Sequence, residues 1–180
     1  MIVVNGCPKS GTHALLKAVE LLGQPVDDVH HIPFGQPLPD GVTKHLFIIR
    51  DPRNVIISWL RFNGKTVTDG TIMAAAQEND NGTSLLQIAD SFLGWLTDAN
   101  THVVKFEDLI KDDAALRGIA AFLGVPYLDT AFPNLPGYTI TWTGDGVTPA
   151  YSDYTQIWTP ALAAFWTANG GDALVAAYGY

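Results

Sequence analysis

Ile2-Val3-Val4-Asn5-Gly6-Cys7-Pro8-Lys9-Ser10-Gly11-Thr12-His13 opens the chain, and its reading decides the fold. A short β-branched run that breaks at a glycine predicts a buried strand. Beyond it, Leu15, Leu16, Val19 and Leu22 recur at helical spacing, so a helix follows. A strand, a Gly-containing loop and a helix in that order bring backbone N–H groups to a helix N-terminus, where the dipole favours an anion. Gly11 lets the backbone approach closely, Ser10 and Thr12 add hydroxyl donors, and Lys9 adds a mobile positive charge. Taken alone the loop means only that, and Gly with Ser also caps helices that bind nothing.

Downstream, the passage from Gly23 to Val42 carries Pro25, Pro33, Pro37 and Pro39 and excludes a long regular element. His45-Leu46-Phe47-Ile48-Ile49-Arg50 reads as a second buried strand, and Pro52 opens a helix reaching about Phe62. Residues 63–82, rich in Gly, Asn, Thr and Asp, read as a surface excursion or lid with a short helix at 69–78. Residues 83–98 read as helical, and His102 to Phe106 as a third strand. Asp112 to Leu123 is amphipathic and stops at Gly124. Leu128 to Thr155 is turn-rich and aromatic, Pro160 starts a last long helix, and Gly170-Gly171 separates it from a short terminal one. Strands alternating with helices predict one α/β domain over 1–180: three layers, αβα, around a mostly parallel sheet of the P-loop nucleotide-binding type.

Composition narrows the function. One cysteine, Cys7, excludes a disulfide framework or a Cys-based zinc site within one chain. The chain shows no apolar stretch of membrane-spanning length and opens without a signal-like segment, so a cytoplasmic protein that engages no membrane is expected. Asn81-Gly82-Thr83 spells a glycosylation sequon, read as chance in that context. A net charge of −8 argues against nucleic acid as a partner. That average hides an asymmetry, because residues 1–65 hold seven of the ten Lys and Arg but five of the eighteen acids. A locally basic half in an acidic protein suits an anion pocket; acids accumulated on a solvated C-terminal half would leave the same imbalance.

The loop can be set against the Walker pattern G-x-x-x-x-G-K-[ST]. Gly6 and Gly11 fit, but Thr12 and His13 stand where Lys and Ser/Thr belong, and the lysine comes two residues before the second glycine. A Walker lysine reaches the β/γ-phosphates while its neighbouring hydroxyl holds magnesium; here that register is lost. Asp51 is the one acid placed to serve as a magnesium ligand.

Pro8-Lys9-Ser10-Gly11-Thr12 resembles the 5′-phosphosulfate-binding loop of the sulfotransferases that use 3′-phosphoadenosine-5′-phosphosulfate (PAPS). Ile49 to Trp59, with Arg50 and Ser58 eight apart, resembles that family's 3′-phosphate segment. Val104-Lys105-Phe106-Glu107-Asp108-Leu109 resembles its YEDL strand end, followed by a similar helix through Phe122-Leu123-Gly124-Val125-Pro126. His31-Ile32-Pro33 resembles the THLP segment that bears its catalytic base. These matches are scattered over about residues 3–126, and a looser one covers Trp158 to Tyr180.

The resemblance implies a sulfotransferase with PAPS as donor, the 3′,5′-bisphosphate PAP as product and no metal. It assigns Lys9 and His31 to catalysis and Pro8, Lys9, Ser10, Gly11, Thr12, His13, Arg50 and Ser58 to the donor. The acceptor would be a hydroxyl or amine on a small molecule, glycan or peptide. A one-residue shift would exchange His31 for His30. Asn54, Ser58 and Arg61 form one polar strip of the second helix, and Val55, Trp59 and Phe62 an apolar one expected to pack inward. Glu107 and Asp108 are read as caps of the following helix. Trp142, Tyr151, Tyr154 and Trp158, with the 63–82 segment, are candidates for the acceptor pocket. Three features depart from the family. Ala14 stands where an adenine-stacking aromatic belongs, the interval from Lys9 to His31 is short, and Thr141 to Gly146 carries no basic residue where an RKG segment is expected. Two other readings follow: a P-loop kinase of a small metabolite using ATP and magnesium, and a catalytically silent nucleotide-binding module.

Overall fold

Strand β1, Ile2–Gly6, is central and buried from Val3 onward. It pairs in parallel with β2, Val29–His30, on one side and with β3, Lys44–Ile49, on the other. β3 pairs in parallel with β4, Thr101–Lys105, so the sheet runs β2-β1-β3-β4. The computed structural model describes residues 1–26, 28–78, 82–129, 131 and 153–180.

The helices are α1 (Thr12–Leu21), α2 (Pro52–Phe62), α3 (Asp69–Gln77), α4 (Leu85–Asp90), α5 (Phe106–Lys111), α6 (Ala114–Leu123), α7 (Pro160–Ala168) and α8 (Gly171–Ala177). Alternation along the strands sorts them into two layers. Val4, Leu46, Ile48 and Val104 pack with Leu15 and Val19 of α1, Leu109 of α5, and Leu116 and Ile119 of α6. Phe47 and Ile49 face the other way, against Val55 of α2, Ala89 of α4 and Leu174 of α8. α3 and α7 extend that second layer through Ile72, Ala76, Leu162 and Trp166. The expected three-layer α/β architecture is the observed one.

The sequence expectations err where elements are short. β2 is only two residues long and sits in the Pro-rich passage, too brief to leave a periodic signal. The helix expected over 83–98 ends at Asp90, and a separate 3-10 turn covers Leu93–Leu96. Gly94 lies inside that turn, where a side chain would lie 2.2 Å from the Phe34 ring. Phe106, expected as strand, is the first residue of α5, and α6 starts at Ala114 rather than Asp112. Within 63–82, α3 has a Thr68–Thr71 capping box and buries Ile72, Ala75 and Ala76. No helix among the described residues is long and apolar enough to cross a membrane.

A buried histidine at the N-terminal edge of the sheet makes the fold sensitive to acid. His45 is 3% exposed, and its Nδ1 lies 2.7 Å from Thr101 Oγ1. The Thr101 hydroxyl spends its single proton on Asp98 Oδ2, 2.6 Å away, so Nδ1 must be the donor. His45 Nε2 is buried with no partner among the described residues. Burial pushes the His45 pKa down to about 4, against the opposing pull of Asp98. The folded protein therefore holds this ring neutral while the unfolded chain protonates it near 6.5. Its contribution is complete above about pH 6.5 and is lost as pH falls toward 4. Burial lowers His13 and His102 as well, with the same sign. Urea midpoints should thus fall between pH 7 and pH 4.5, and His45→Gln should make that fall shallower; an unchanged slope would count against this role of His45.

Candidate functional site

The C-terminal ends of β1 and β3 carry the site. β1 ends at Gly6, and residues 7–11 turn sharply into α1, with Ser10 N–H donating to the Cys7 carbonyl at 3.0 Å. Two residues of this turn have positive φ, Lys9 at +71° and Gly11 at +106°. Lysine rarely adopts that region, so its backbone is held there by its surroundings. One such contact is Arg50, whose Nη1 donates to the Lys9 carbonyl at 3.3 Å.

Both glycines are required by close approach. A Cβ on Gly6 would lie 2.6 Å from Ser10 Oγ and 2.8 Å from Ile48 Cγ2. A Cβ on Gly11 would lie 2.4 Å from Phe106 Cδ2. Phe106 in turn lies under the Arg50 guanidinium, 4.6 Å from ring centre to Cζ. A packed column of loop, ring and guanidinium thus ties α1 to the ends of β3 and β4.

The donors left over point to an anion. Ser10 is 1% exposed, and its Oγ is buried with no partner among the described residues. Thr12, at the first position of α1, is also buried. Lys9 Nζ lies over the Phe62 ring at 3.8 Å, and Phe62 is 46% exposed rather than packed inward as expected. Val55 is buried as expected, Trp59 packs partly buried against the core, and Ile56, Ile57 and Leu60 are inward too. Burial and the neighbouring Arg50 charge hold the Lys9 ammonium below its ordinary pKa. Two like charges close together at a helix N-terminus form a positive focus that a bound anion relieves.

The structure separates the two adjacent histidines. His31 Nδ1 lies 2.7 Å from the Gly6 carbonyl. A carbonyl only accepts, so Nδ1 carries the proton and Nε2 of the neutral ring keeps its lone pair. His31 is also within electrostatic reach of His13 at the start of α1, whose pKa is lowered by burial first, then by His31 and Lys9. His30 couples instead to His45. The loop, Arg50 and His31 therefore share one end of the sheet.

Other candidates are occupied elsewhere. Asp51 caps α2, accepting from Arg53 N at 2.9 Å, and takes a two-pronged ion pair from Arg53 Nε and Nη2 at 2.9 and 2.6 Å. It is 4% exposed and committed, a poor magnesium ligand. Asn54, expected on the polar strip, accepts from Tyr154 N at 2.9 Å, while Ser58 is buried on the same helix. Arg53 stacks on Tyr154, and Trp158 packs edge-on against both Tyr154 and Trp166. Those two aromatics belong to the core around α7. Glu107 and Asp108, expected as helix caps, instead lie within the first turn of α5, whose N-cap is Lys105; Glu107 accepts from Tyr180 Oη and, at 3.5 Å, from Asp51 N. Trp142, Tyr151 and the 141–146 segment lie outside the described residues.

Sequence reasoning missed Asn5 and Trp95, which hold the His31 segment. Asn5 is 0% exposed and bonds three backbone groups around it; Trp95 Nε1 donates to the Ile32 carbonyl at 2.9 Å. A polar residue inside an otherwise apolar first strand was the available signal.

A model of the sulfotransferase domain matches residues 29–134, more than half of the chain, beginning at β2. The crystal structure of mouse sulfotransferase SULT7A1 complexed with PAP superposes with a TM-score of 0.66. That match covers 98% of this chain and 86% of the mouse chain at 17% identity, which establishes a shared fold. No curated protein matches by sequence.

Comparison of two positive-φ glycines, Gly11 and Gly41, separates backbone strain from crowding. Gly41 has φ +77° and open space where a side chain would stand, with nothing within 4 Å, whereas Gly11 meets Phe106. Gly41→Ala should cost about 1 kcal/mol in urea unfolding, the cost of the left-handed backbone. Gly11→Ala should cost about 2–4 kcal/mol, because overpacking adds to the same backbone cost. Equal losses would mean that Phe106 does not press on the loop.

Proposed function

This chain belongs to the PAPS-dependent sulfotransferase family, and from that premise we propose that it moves the sulfuryl group of PAPS to a hydroxyl or amine acceptor. The observation that carries the donor assignment is the buried Ser10 hydroxyl without a partner among the described residues, set at the N-terminus of α1 beside Lys9. Buried hydroxyls normally find a partner, so an unpartnered one within a cationic turn fits a phosphate oxygen. The lack of room at Gly6 and Gly11, taken up by Ser10, Ile48 and Phe106, holds the turn in this shape.

In this reading Ser10, Thr12, His13 and the loop N–H groups hold the 5′-phosphosulfate, with Pro8 and Gly11 shaping the turn. Arg50 and Ser58 hold the 3′-phosphate. His31 Nε2 takes the proton from the acceptor hydroxyl as its oxygen attacks sulfur. The bond from sulfur to the phosphate oxygen breaks, and the product nucleotide leaves with the electron pair. Lys9, able to swing from Phe62, neutralises the charge that develops on that leaving oxygen. A small molecule, glycan or peptide supplies the hydroxyl or amine. A kinase reading would need a magnesium ligand at Asp51, and that carboxylate is already engaged by Arg53.

Calorimetric titration should show 3′,5′-ADP binding at least tenfold more tightly than 5′-AMP, with Arg50→Ala abolishing the difference. Equal affinities would remove the 3′-phosphate from the account. Turnover of PAPS should fall 10²–10⁴-fold in His31→Ala, in line with loss of a positioned proton acceptor, and comparably in Lys9→Ala. Retention of full turnover in either variant would overturn its assigned role.

A further inference from the structure

Asn5 occupies a place in β1 where an apolar residue would suffice for packing, between the fully buried Val4 and the end of the strand. Its amide makes three hydrogen bonds, all to backbone. Oδ1 accepts from Gly6 N at 2.9 Å and from Ile32 N at 2.9 Å, while Nδ2 donates to the Ile32 carbonyl at 3.0 Å. Two donors on one side and an acceptor on the other leave only one orientation of the amide. The pairing continues the sheet by other means. β2 stops at His30, which is the backbone partner of Asn5, and the Asn5 side chain grips Ile32 where the ladder has ended. Between these anchors His31 crosses the end of β1 and meets the Gly6 carbonyl. The second lone pair of the Ile32 carbonyl goes to Trp95 Nε1.

We propose that Asn5 is a positioning residue, which by clamping Gly6 and Ile32 on either side of His31 holds that ring in its Nδ1–H form with Nε2 turned out as the proton acceptor. The assignment rests on the reading of His31 as the base. Asn5 itself touches no reacting atom; it acts through Gly6, whose N–H it holds and whose carbonyl, in the next peptide group, receives His31 Nδ1. Two adjacent peptides are thereby fixed by one buried side chain that water cannot replace. Loss of that clamp frees the ring to take the Nε2–H form that unconstrained imidazoles favour, which removes the acceptor lone pair from the site.

The test uses long-range proton–nitrogen correlation spectra of the full chain labelled at histidine nitrogen, with His31→Gln identifying the His31 signals. Wild-type His31 should give the Nδ1–H pattern while neutral. Asn5→Ala should move it to the Nε2–H form or to an average of the two. Asn5→Asp keeps the shape but replaces the Nδ2 donor with a second carboxyl oxygen and adds an ionisable group, and should also move the pattern away from the Nδ1–H form. Calorimetric affinity for 3′,5′-ADP should stay within about twofold of wild type in Asn5→Ala. An Nε2–H pattern in the wild type, or an unchanged pattern in the variants that fold, overturns the proposal. So does loss of nucleotide affinity with the tautomer intact, because Asn5 would then shape the loop rather than the histidine. A failure of 3′,5′-ADP to outbind 5′-AMP in the wild type removes the donor assignment and leaves the tautomer result standing.

Discussion

The turn from β1 into α1 runs without a side chain at two points, and the site depends on that clearance. Gly6 lies against Ser10 and Ile48, and Gly11 against Phe106, at distances that a methyl group could not share. The first contact seats the Ser10 hydroxyl in space that a side chain on Gly6 would take. Because of the second, the ring of Phe106 supports both the loop and the Arg50 guanidinium. Sheet register delivers the partners: Gly6 pairs with Ile48, so Arg50 emerges from β3 just beyond the end of β1.

Charge is concentrated where the backbone converges. The protein carries a net charge of −8, yet Lys9 and Arg50 stand close enough that each opposes the other, and the lysine pKa is lowered as a result of burial and this neighbour. Such a pair is costly in the free protein and favourable once an anion arrives. Lys9 meanwhile rests on Phe62, a contact of about 0.5–2 kcal/mol that an anion can outcompete. Nearby acids do not spoil this arrangement, because Asp51 is taken by Arg53 and Glu107 is engaged by Tyr180.

The residues from Ile2 to Thr12 were readable because strand, turn and helix each leave a strong local pattern, and the same holds for β3 followed by α2. The parallel α/β architecture follows from that alternation. What escaped was long-range or short-lived along the chain. β2 has two residues, so no period could announce it. On α2 the expected Val55 is inward, but Phe62 is exposed with Lys9 over its ring, a contact between distant residues that spacing does not encode. The difference between His30 and His31 lies in a contact to Gly6, twenty-five residues away, that spacing does not encode. Asn5 was visible as a polar residue in a hydrophobic strand, but its purpose required knowing where Ile32 returns.

The most direct test of the account is a crystal structure of the protein with 3′,5′-ADP. The 5′-phosphate should sit on the turn, within hydrogen-bond distance of Ser10 Oγ and the N–H groups entering α1, and the 3′-phosphate on Arg50 and Ser58. His31 Nε2 should face the open side of the 5′-phosphate. A nucleotide bound with its phosphates reversed, or away from the turn with Ser10 still unpartnered, would contradict it.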